Sequence, residues 1–138
     1  MDSVLARERF AGARVARLAT ADAQGRPHLV PIVFVVAGDT VYHAVDDKPK
    51  RSRALRRLAN VRANPAVSLL ADYYDDDWTA LWWVRADGRG RVLAPEEAEA
   101  RRAIELLAGR YPQHRTQPPT GPVLAVDVER WSGWSFTP

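Results

Sequence analysis

The segment from His28 to Val36 has the strongest strand pattern in the chain, and it is apolar on both faces. Its alternating positions are Val30, Ile32 and Phe34 on one face, and Leu29, Val33 and Val35 on the other. A strand that is apolar on both faces needs cover on both sides. Pro31 lacks a backbone N–H, so it marks an edge strand or a bulge within this segment.

Two further strand patterns flank this segment, at Val15 to Thr20 and at Thr40 to Val45. The connections are short: residues 22–25 have turn chemistry before Pro27, and Gly38-Asp39 is typical of a hairpin turn. Three consecutive strands joined in this way predict an antiparallel meander and exclude a βαβ unit.

The rest of the chain predicts helices that flank more strands. Helices are expected over Asp2 to Ala13, with Ser3 as a cap, over Arg51 to Ala63 and after Pro95. A proline-rich loop to Pro122 is expected after the last of them. Strands are expected over Ala66 to Asp72, Trp78 to Leu93 and Val123 to Arg130. Gly88 and Gly90 are expected to bend the long strand. The sequence therefore predicts a mostly β fold with flanking helices, a small six-stranded barrel, closed or partly open, as a single domain over residues 1–138.

Composition excludes several classes of site. With no cysteine, the chain has no disulfide, no thiolate zinc site and no cysteine nucleophile. The histidines His28, His43 and His114 lack metal-ligand spacing, so no metal site is expected. Neither a signal peptide nor a membrane-spanning run is found in the sequence, which predicts a cytoplasmic protein with no membrane partner.

The segment from Lys48 to Arg62 carries seven cationic side chains and no acid. Lys48 and Lys50 are the only lysines of the chain, and with Arg51 they lie where a strand ends and a helix begins. Helix N-termini favour anions, so these three residues predict an anion site. The later arginines, Arg53, Arg56, Arg57 and Arg62, fit a solvated helix face. The buried stripe of the same helix is expected to be Ala54, Leu55, Leu58 and Ala59. Nucleic acid is disfavoured as a partner, because acids crowd residues 72–77 and no nucleic-acid motif is present.

The five tryptophans fall into two clusters: Trp78, Trp82 and Trp83, then Trp131 and Trp134. On one strand Trp78 and Trp82 share a face, and Trp83 points the other way. One face is expected to be core. The other is open to two interpretations, the wall of a planar ligand or a subunit interface.

Several segments, in order, resemble the pyridoxamine-5′-phosphate-oxidase-like split-barrel oxidoreductases. The matching segments are Ala19-Thr20 with residues 25–32, Lys48-Pro49-Lys50-Arg51 with Leu58 and residues 64–70, and Trp82 to Gly88. Residues 75–78, residues 81–85 and the terminal segment 130–134 are similar to the actinobacterial branch that uses the deazaflavin coenzyme F420.

The resemblance implies an FMN-binding-type split barrel that forms a homodimer, with a flavin-like cofactor in a groove at the interface. It implies that Lys48, Lys50 and Arg51 hold the cofactor phosphate. The ring would be lined by Val30, Pro31, Ile32 and Val33, by Tyr42 and His43, and by Trp83 and Arg85 of the long strand. The implied activity is F420-dependent hydride transfer with a small-molecule substrate; the alternatives are an FMN-dependent oxidase or reductase and a non-catalytic F420 carrier. The cofactor carries the hydride in such enzymes, so no catalytic side chain is assigned.

Overall fold

A computed structural model describes residues 1–45 and 51–138, and within 51–55 it describes the backbone alone. The helices are α1 (Ser3–Gly12), α2 (Arg51–Ala63), α3 (Ala98–Arg110) and α4 (Pro112–Thr116), with a 3₁₀ turn at Trp78–Ala80. The strands are β1 (Ala16–Ala21), β2 (Pro27–Ile32), β3 (Val35–Ala37), β4 (Thr40–Ala44), β5 (Ala66–Tyr73), β6 (Trp82–Leu93) and β7 (Val123–Ser135).

Within the described residues, seven strands form one antiparallel sheet in the order β2-β1-β5-β6-β7-β4-β3. The mostly β class with flanking helices is confirmed, whereas the six-stranded count is wrong. The single strand expected from His28 to Val36 is two strands, and these form the opposite edges of an open sheet. Pro31 accordingly lies on an edge strand, the position in a sheet where proline is tolerated.

The break between β2 and β3 is held by the end of α3. The Phe34 carbonyl oxygen accepts from the Tyr111 hydroxyl at 2.9 Å and from the Arg110 guanidinium at 2.8 Å. The Phe34 N–H is 3.2 Å from the same hydroxyl. These contacts satisfy the backbone N–H and carbonyl of Phe34 at the point where the chain leaves the ladder.

The core lies on both sides of the sheet. On the inner side, α1 and α2 pack on the strands through Phe10, Leu58 and Val61, which contact residues such as Leu18 and Val84. On the other side, α3 covers the sheet end formed by β3, β4 and the first half of β7; the buried residues there are Ala44, Leu93, Ala100, Ala103, Leu107, Tyr111, Val123 and Ala125. The outer side chains of β1, β2 and β5, of β6 up to Asp87 and of the second half of β7 lie outside both clusters.

Three element ends differ from the expectation. Asp2, and not Ser3, caps α1, because its carboxylate accepts from the Leu5 N–H at 2.8 Å. Trp78 lies in the 3₁₀ turn and is 69% exposed, so it shares no strand face with Trp82. The expected loop before β7 contains α4, whose first residue is Pro112. Each correction reflects a local hydrogen bond that competes with the longer periodic pattern.

The expected bend in β6 is present at Gly88. The register between β6 and β7 shifts at Asp87/Gly88, as a β-bulge does. A Cβ atom at Gly88 would lie 2.2 Å from the Asp127 carbonyl oxygen, so the close approach of the two backbones requires glycine. Beyond the bulge, β7 continues to Ser135 because it pairs with Trp82 to Asp87 along its whole second half. None of the helices in the described ranges is long and apolar enough to cross a membrane.

Candidate functional site

The outer face of the sheet is the side of β1, β2, β5, β6 up to Asp87 and the second half of β7 that no described helix covers, and it carries the candidates Pro31, Trp83 and Arg85. One row crosses all five strands through paired positions: Pro31, Arg17, Leu70, Arg85 and Ser132. Apolar side chains are exposed in this row and next to it, with Leu70 at 36%, Leu29 at 67% and Trp134 at 41%. A flat, partly apolar surface of this kind is typical of a binding interface.

Trp83 and Arg85 lie at the centre of the outer face, two residues apart on β6. The Arg85 guanidinium lies over the Trp83 ring, 5.5 Å from its centroid. Its Nε atom donates to Asp87 at 2.9 Å, and the Ser68 hydroxyl donates to the same carboxylate at 2.6 Å. This chain of contacts fixes the cation against the ring, which leaves a rigid aromatic and cationic surface.

The three candidates at the end of β2 and Val33, the residue that follows it, point in different directions. Pro31 is exposed on the outer face, whereas Ile32 is buried in the inner core at 4% exposure. Val30 packs partly against the same inner core. Val33 follows the strand and packs against the α3 side.

Tyr42 faces α3 and is held in a network of charges. Its hydroxyl donates to Glu99 at 2.7 Å. Arg91 donates twice to Glu99, at 2.9 and 2.8 Å, and twice to Asp127, at 2.6 and 3.0 Å. Burial and the bond to Glu99 raise the pKa of Tyr42 to about 12, and the bonds from Arg91 and Tyr42 lower the pKa of Glu99 to about 2. The hydroxyl of Tyr42 is therefore committed to an internal hydrogen bond.

His43 is the next residue on β4 and points to the opposite side, where it is buried. Its Nδ1 atom is 3.0 Å from the Val33 carbonyl oxygen, and its Nε2 atom is 2.6 Å from the Arg57 guanidinium. Burial, followed by the charge of Arg57, lowers the pKa of His43 to about 4. The imidazole is thus neutral near pH 7: Nδ1–H donates to Val33 and Nε2 accepts from Arg57.

Arg57 is a residue that sequence reasoning placed on the solvated face of α2, and the structure places it half-buried against β4. The expected helix stripe was Ala54, Leu55, Leu58 and Ala59. In the structure Ala59 is exposed, while Asn60 and Val61 are buried. Arg57 precedes these two by three and four positions, so it lies on their face. That spacing is the signal that identifies it.

The phosphate candidates are placed only in part. Lys48 and Lys50 lie outside the described residues. Arg51 is the first residue of α2, and its side chain lies outside the described part as well. The helix start therefore agrees with the sequence, and the role of these three side chains stays a prediction. Among the described residues, no three His, Cys, Asp or Glu side chains are grouped to hold a metal ion.

Residues 5–135 match the family model described as pyridoxamine 5′-phosphate oxidase. The chain belongs to the pyridoxamine 5′-phosphate oxidase family. The match covers the whole sheet and every candidate site residue. It also covers the four helices, except for Ser3 and Val4 at the start of α1. No curated protein matches the sequence significantly.

Solved structures similar to this family member share its fold at low sequence identity. The conserved hypothetical protein Rv2991 from Mycobacterium tuberculosis has 21% identity and a TM-score of 0.74, covering 99% of this chain and 86% of that one. A FAD-binding protein from Mesorhizobium loti has 21% identity and a TM-score of 0.73, with 96% and 94% covered. The heme storage protein HutZ from Vibrio cholerae has 18% identity and a TM-score of 0.73, with 98% and 95% covered.

In this protein the candidate residues form two separate groups: Tyr42 and His43 on β4, and Trp83 and Arg85 on β6. Tyr42 pairs with Ala125 on β7, whereas Arg85 pairs with Ser132 on the same strand. Seven residues of strand correspond to about 23 Å. One copy of the chain therefore does not bring the β4 residues together with Trp83 and Arg85.

Proposed function

We propose that the chain is an F420-dependent oxidoreductase that works as a homodimer and transfers a hydride between the deazaflavin and an organic small molecule. The observation that carries the proposal is the family match over residues 5–135. The F420 branch is supported by the order of residues 75–85 and of the terminal segment 130–134, which resembles that branch.

The side chains on the outer face fit a planar, phosphate-bearing cofactor. Trp83, backed by the Arg85 cation, offers a flat aromatic surface next to the exposed apolar residues of the same face. Lys48, Lys50 and Arg51 would hold the phosphate by charge and by the helix N-terminus. The cofactor supplies the hydride chemistry, and the protein binds it, orients it and excludes water.

The uncovered outer face supports the proposed homodimer. A second copy docked there would cover Leu29, Leu70 and Trp134, which are exposed in one copy. It would also complete a site whose two groups of residues lie about 23 Å apart in a single chain. We therefore place the cofactor at the junction of the two copies.

Titration of the purified protein with F420 and with FMN tests the cofactor. Fluorescence should report tight F420 binding, and Lys50→Ala should weaken it by about tenfold while the melting temperature stays constant. The matched control is Arg62→Ala, which removes the same charge at the exposed end of α2. Tight FMN binding without any response to F420 would overturn the F420 assignment.

The second candidate is a flavin-dependent enzyme of the same fold. It is supported by the structural similarity to the FAD-binding protein from Mesorhizobium loti. In that case the protein would be purified yellow, with flavin bound.

The third candidate is a carrier that binds F420 and does not turn it over. The similarity to HutZ, a heme storage protein, supports storage as a use of this fold. Reduced F420 assayed against quinones, enones and tetrapyrroles separates the carrier from the enzyme. Binding of F420 without oxidation by any of these acceptors favours the carrier.

A further inference from the structure

A cavity of about 360 Å³ lies where α1, the β3-β4 hairpin and the middle of β7 meet. This volume is within the range of small-molecule sites in proteins. None of the proposed cofactor residues that the structure describes lines the cavity. A ligand of this cavity would therefore be different from the proposed cofactor.

Hydrogen bonds and ring packing hold the walls of this cavity in place. The Val128 N–H donates to the Asp39 carbonyl oxygen at 2.8 Å, which joins the hairpin to β7. The Trp131 Nε1–H donates to the Asp39 carboxylate at 2.9 Å. The Trp131 ring also packs edge-on against Phe10 of α1, with 5.5 Å between the ring centroids. Because Asp39 and Trp131 link the three elements, the shape of the cavity is set by the fold itself.

Arg7 and Asp39 bring opposite charges to the cavity without forming a tight ion pair. The Arg7 Nη1 atom lies 3.4 Å from the Asp39 carboxylate. Arg91, by contrast, donates to Glu99 and Asp127 at distances of 2.6 to 3.0 Å. A hydrogen bond of 3.4 Å is long, and both side chains are partly exposed, so the pair contributes little to stability. Both groups therefore keep hydrogen-bonding capacity for a ligand.

Glu129 and Arg130 of β7 add a second pair of opposite charges to the lining. Together with Arg7 and Asp39 they give the cavity two guanidinium groups and two carboxylates, so the formal charges cancel. A simple anion would meet the two carboxylates, and a simple cation would meet the two guanidinium groups. A zwitterion, in contrast, finds an opposite partner for each of its charges.

Apolar side chains line the cavity next to these charges. Val4 of α1 is exposed there, and Val128 lies beside the Trp131 ring. Small-molecule sites combine apolar and aromatic walls with a few polar groups that fix the orientation of the ligand. The lining therefore suits a ligand with an apolar body and two opposite charges at one end.

We propose that this cavity binds a free α-amino acid with an apolar side chain. The carboxylate of the amino acid accepts from Arg7, whose guanidinium fork matches that group. Its ammonium group donates to Asp39, which Trp131 holds in place. Both charged groups of an α-amino acid are attached to one carbon atom, and they are therefore adjacent, as the side chains of Arg7 and Asp39 are. This site goes beyond the proposed function, because it requires no cofactor.

NMR spectroscopy of the full chain tests the site with L-leucine and L-phenylalanine as probes. The indole Nε1–H signal of Trp131, assigned by its loss in Trp131→Phe, should shift on addition of either amino acid. Two analogues of phenylalanine complete the test: 3-phenylpropionate lacks the ammonium group, and 2-phenylethylamine lacks the carboxylate. Each analogue should bind about tenfold more weakly than phenylalanine, because it leaves one charged group of the cavity without its ligand partner.

Variants with matched controls assign the two charges. Arg7→Gln removes the partner of the carboxylate, and Asp39→Asn removes the partner of the ammonium group but keeps an oxygen that accepts from Trp131. Each variant should weaken phenylalanine binding by about tenfold. Arg102→Gln and Asp76→Asn make the same changes at exposed positions outside the lining and should leave the affinity unchanged. Should Arg7→Gln fail to fold, Arg7→Lys keeps the charge and loses the fork, and weaker binding is again expected.

A Trp131 signal that neither amino acid shifts at millimolar concentration overturns the site. Equal affinity for phenylalanine and its two analogues overturns the assignment of a zwitterion, as does equal weakening by Arg7→Gln and Arg102→Gln. Failure of the proposed function has a different signature. Neither F420 nor FMN would bind, while leucine would still shift the Trp131 signal.

Discussion

The Tyr111 hydroxyl and the Phe34 backbone are joined by two contacts, 2.9 Å to the carbonyl oxygen and 3.2 Å to the N–H. The two residues are 77 positions apart in the chain. Phe34 lies between β2 and β3, the two edges of the sheet. Tyr111 therefore holds the point at which the chain passes from one edge of the sheet to the other.

Removal of the Tyr111 hydroxyl should destabilise the protein. In Tyr111→Phe the buried N–H and carbonyl of Phe34 lose a partner, at a cost of about 1–3 kcal/mol in the free energy of unfolding. Urea denaturation measures it. Tyr74→Phe is the control, because Tyr74 is 65% exposed, and its stability should match the wild type. Equal stability of the two variants would show that the hydroxyl does not hold the break.

Replacement of Gly88 at the bulge should destabilise the protein, whereas replacement of Gly109 in α3 should not. Gly88→Ala places a Cβ 2.2 Å from the Asp127 carbonyl oxygen, so β6 and β7 must separate, which should cost about 2 kcal/mol or more. Gly109→Ala meets no atom within 4 Å in α3 and should stabilise by about 0.5–1 kcal/mol. Thermal denaturation of both variants checks the opposite signs. A tolerated Gly88→Ala would mean that the bulge relaxes freely.

The parts of the fold that could be predicted from the sequence depend on local chemistry. The bounds of α2, Arg51–Ala63, and the hairpin turn at Gly38-Asp39 follow from helix periodicity and turn residues. The bulge at Gly88 follows from the same kind of local information. Contacts distant in sequence are different. The break at Phe34 depends on its contacts with Tyr111, and no residue within 28–36 predicts that the strand is interrupted there.

The same distinction holds for the candidate site. Placement of Trp83 and Arg85 on one strand face needed only strand alternation. The burial of Arg57 needed the contact to His43, fourteen residues earlier, and a correct choice of the buried helix face. An arginine in a basic helix resembles its solvated neighbours until the packing of the helix is known. The contacts of Lys48 and Lys50 stay a prediction.

Acid should weaken the network around Glu99. Its pKa is lowered from 4.5 to about 2 by Arg91 and Tyr42, so the carboxylate contributes stability above pH 4.5 that is lost as the pH falls towards 2. The Glu99 carboxylate is partly exposed, so Glu99→Gln should lower the free energy of unfolding at pH 7 by only about 1 kcal/mol. The variant should also lose less stability than the wild type as the pH falls below 4.5. Glu105→Gln, an exposed position of α3, is the control. If Glu99→Gln lost as much stability as the wild type below pH 4.5, the network would not be the source of that loss.

His43 should make the protein less stable below neutral pH. Its folded-state pKa of about 4 lies below the usual 6.5, so the unfolded chain takes a proton that the folded protein does not. The stability is complete above pH 6.5 and falls as the pH drops towards 4, by about 2 kcal/mol at pH 5. Urea titrations in phosphate-free buffers at pH 7.5 and 5 measure the loss. His43→Gln should lack this slope, and an equal slope in that variant would exclude His43 as its source.

Self-association should depend on the outer face of the sheet. Leu29 is 67% exposed on the edge strand β2, in line with Ala19 and Ser68 of the neighbouring strands, so a second copy seated there buries it. Leu29→Lys places a charge in that interface and should raise the dimer dissociation constant by about tenfold or more, measured by sedimentation velocity. Since the side chain is already exposed in one copy, the fold should be unaffected.

Val4→Lys provides the matched control, because Val4 is 56% exposed on α1, which packs on the inner side of the sheet. It introduces the same charge away from the proposed interface and should leave the dimer intact. Dissociation by Val4→Lys and not by Leu29→Lys would place the interface on the α1 side. A wild-type protein that stays monomeric at the highest concentration would contradict the dimer altogether, and the Tyr42 and Trp83 groups would then have to bind ligands separately.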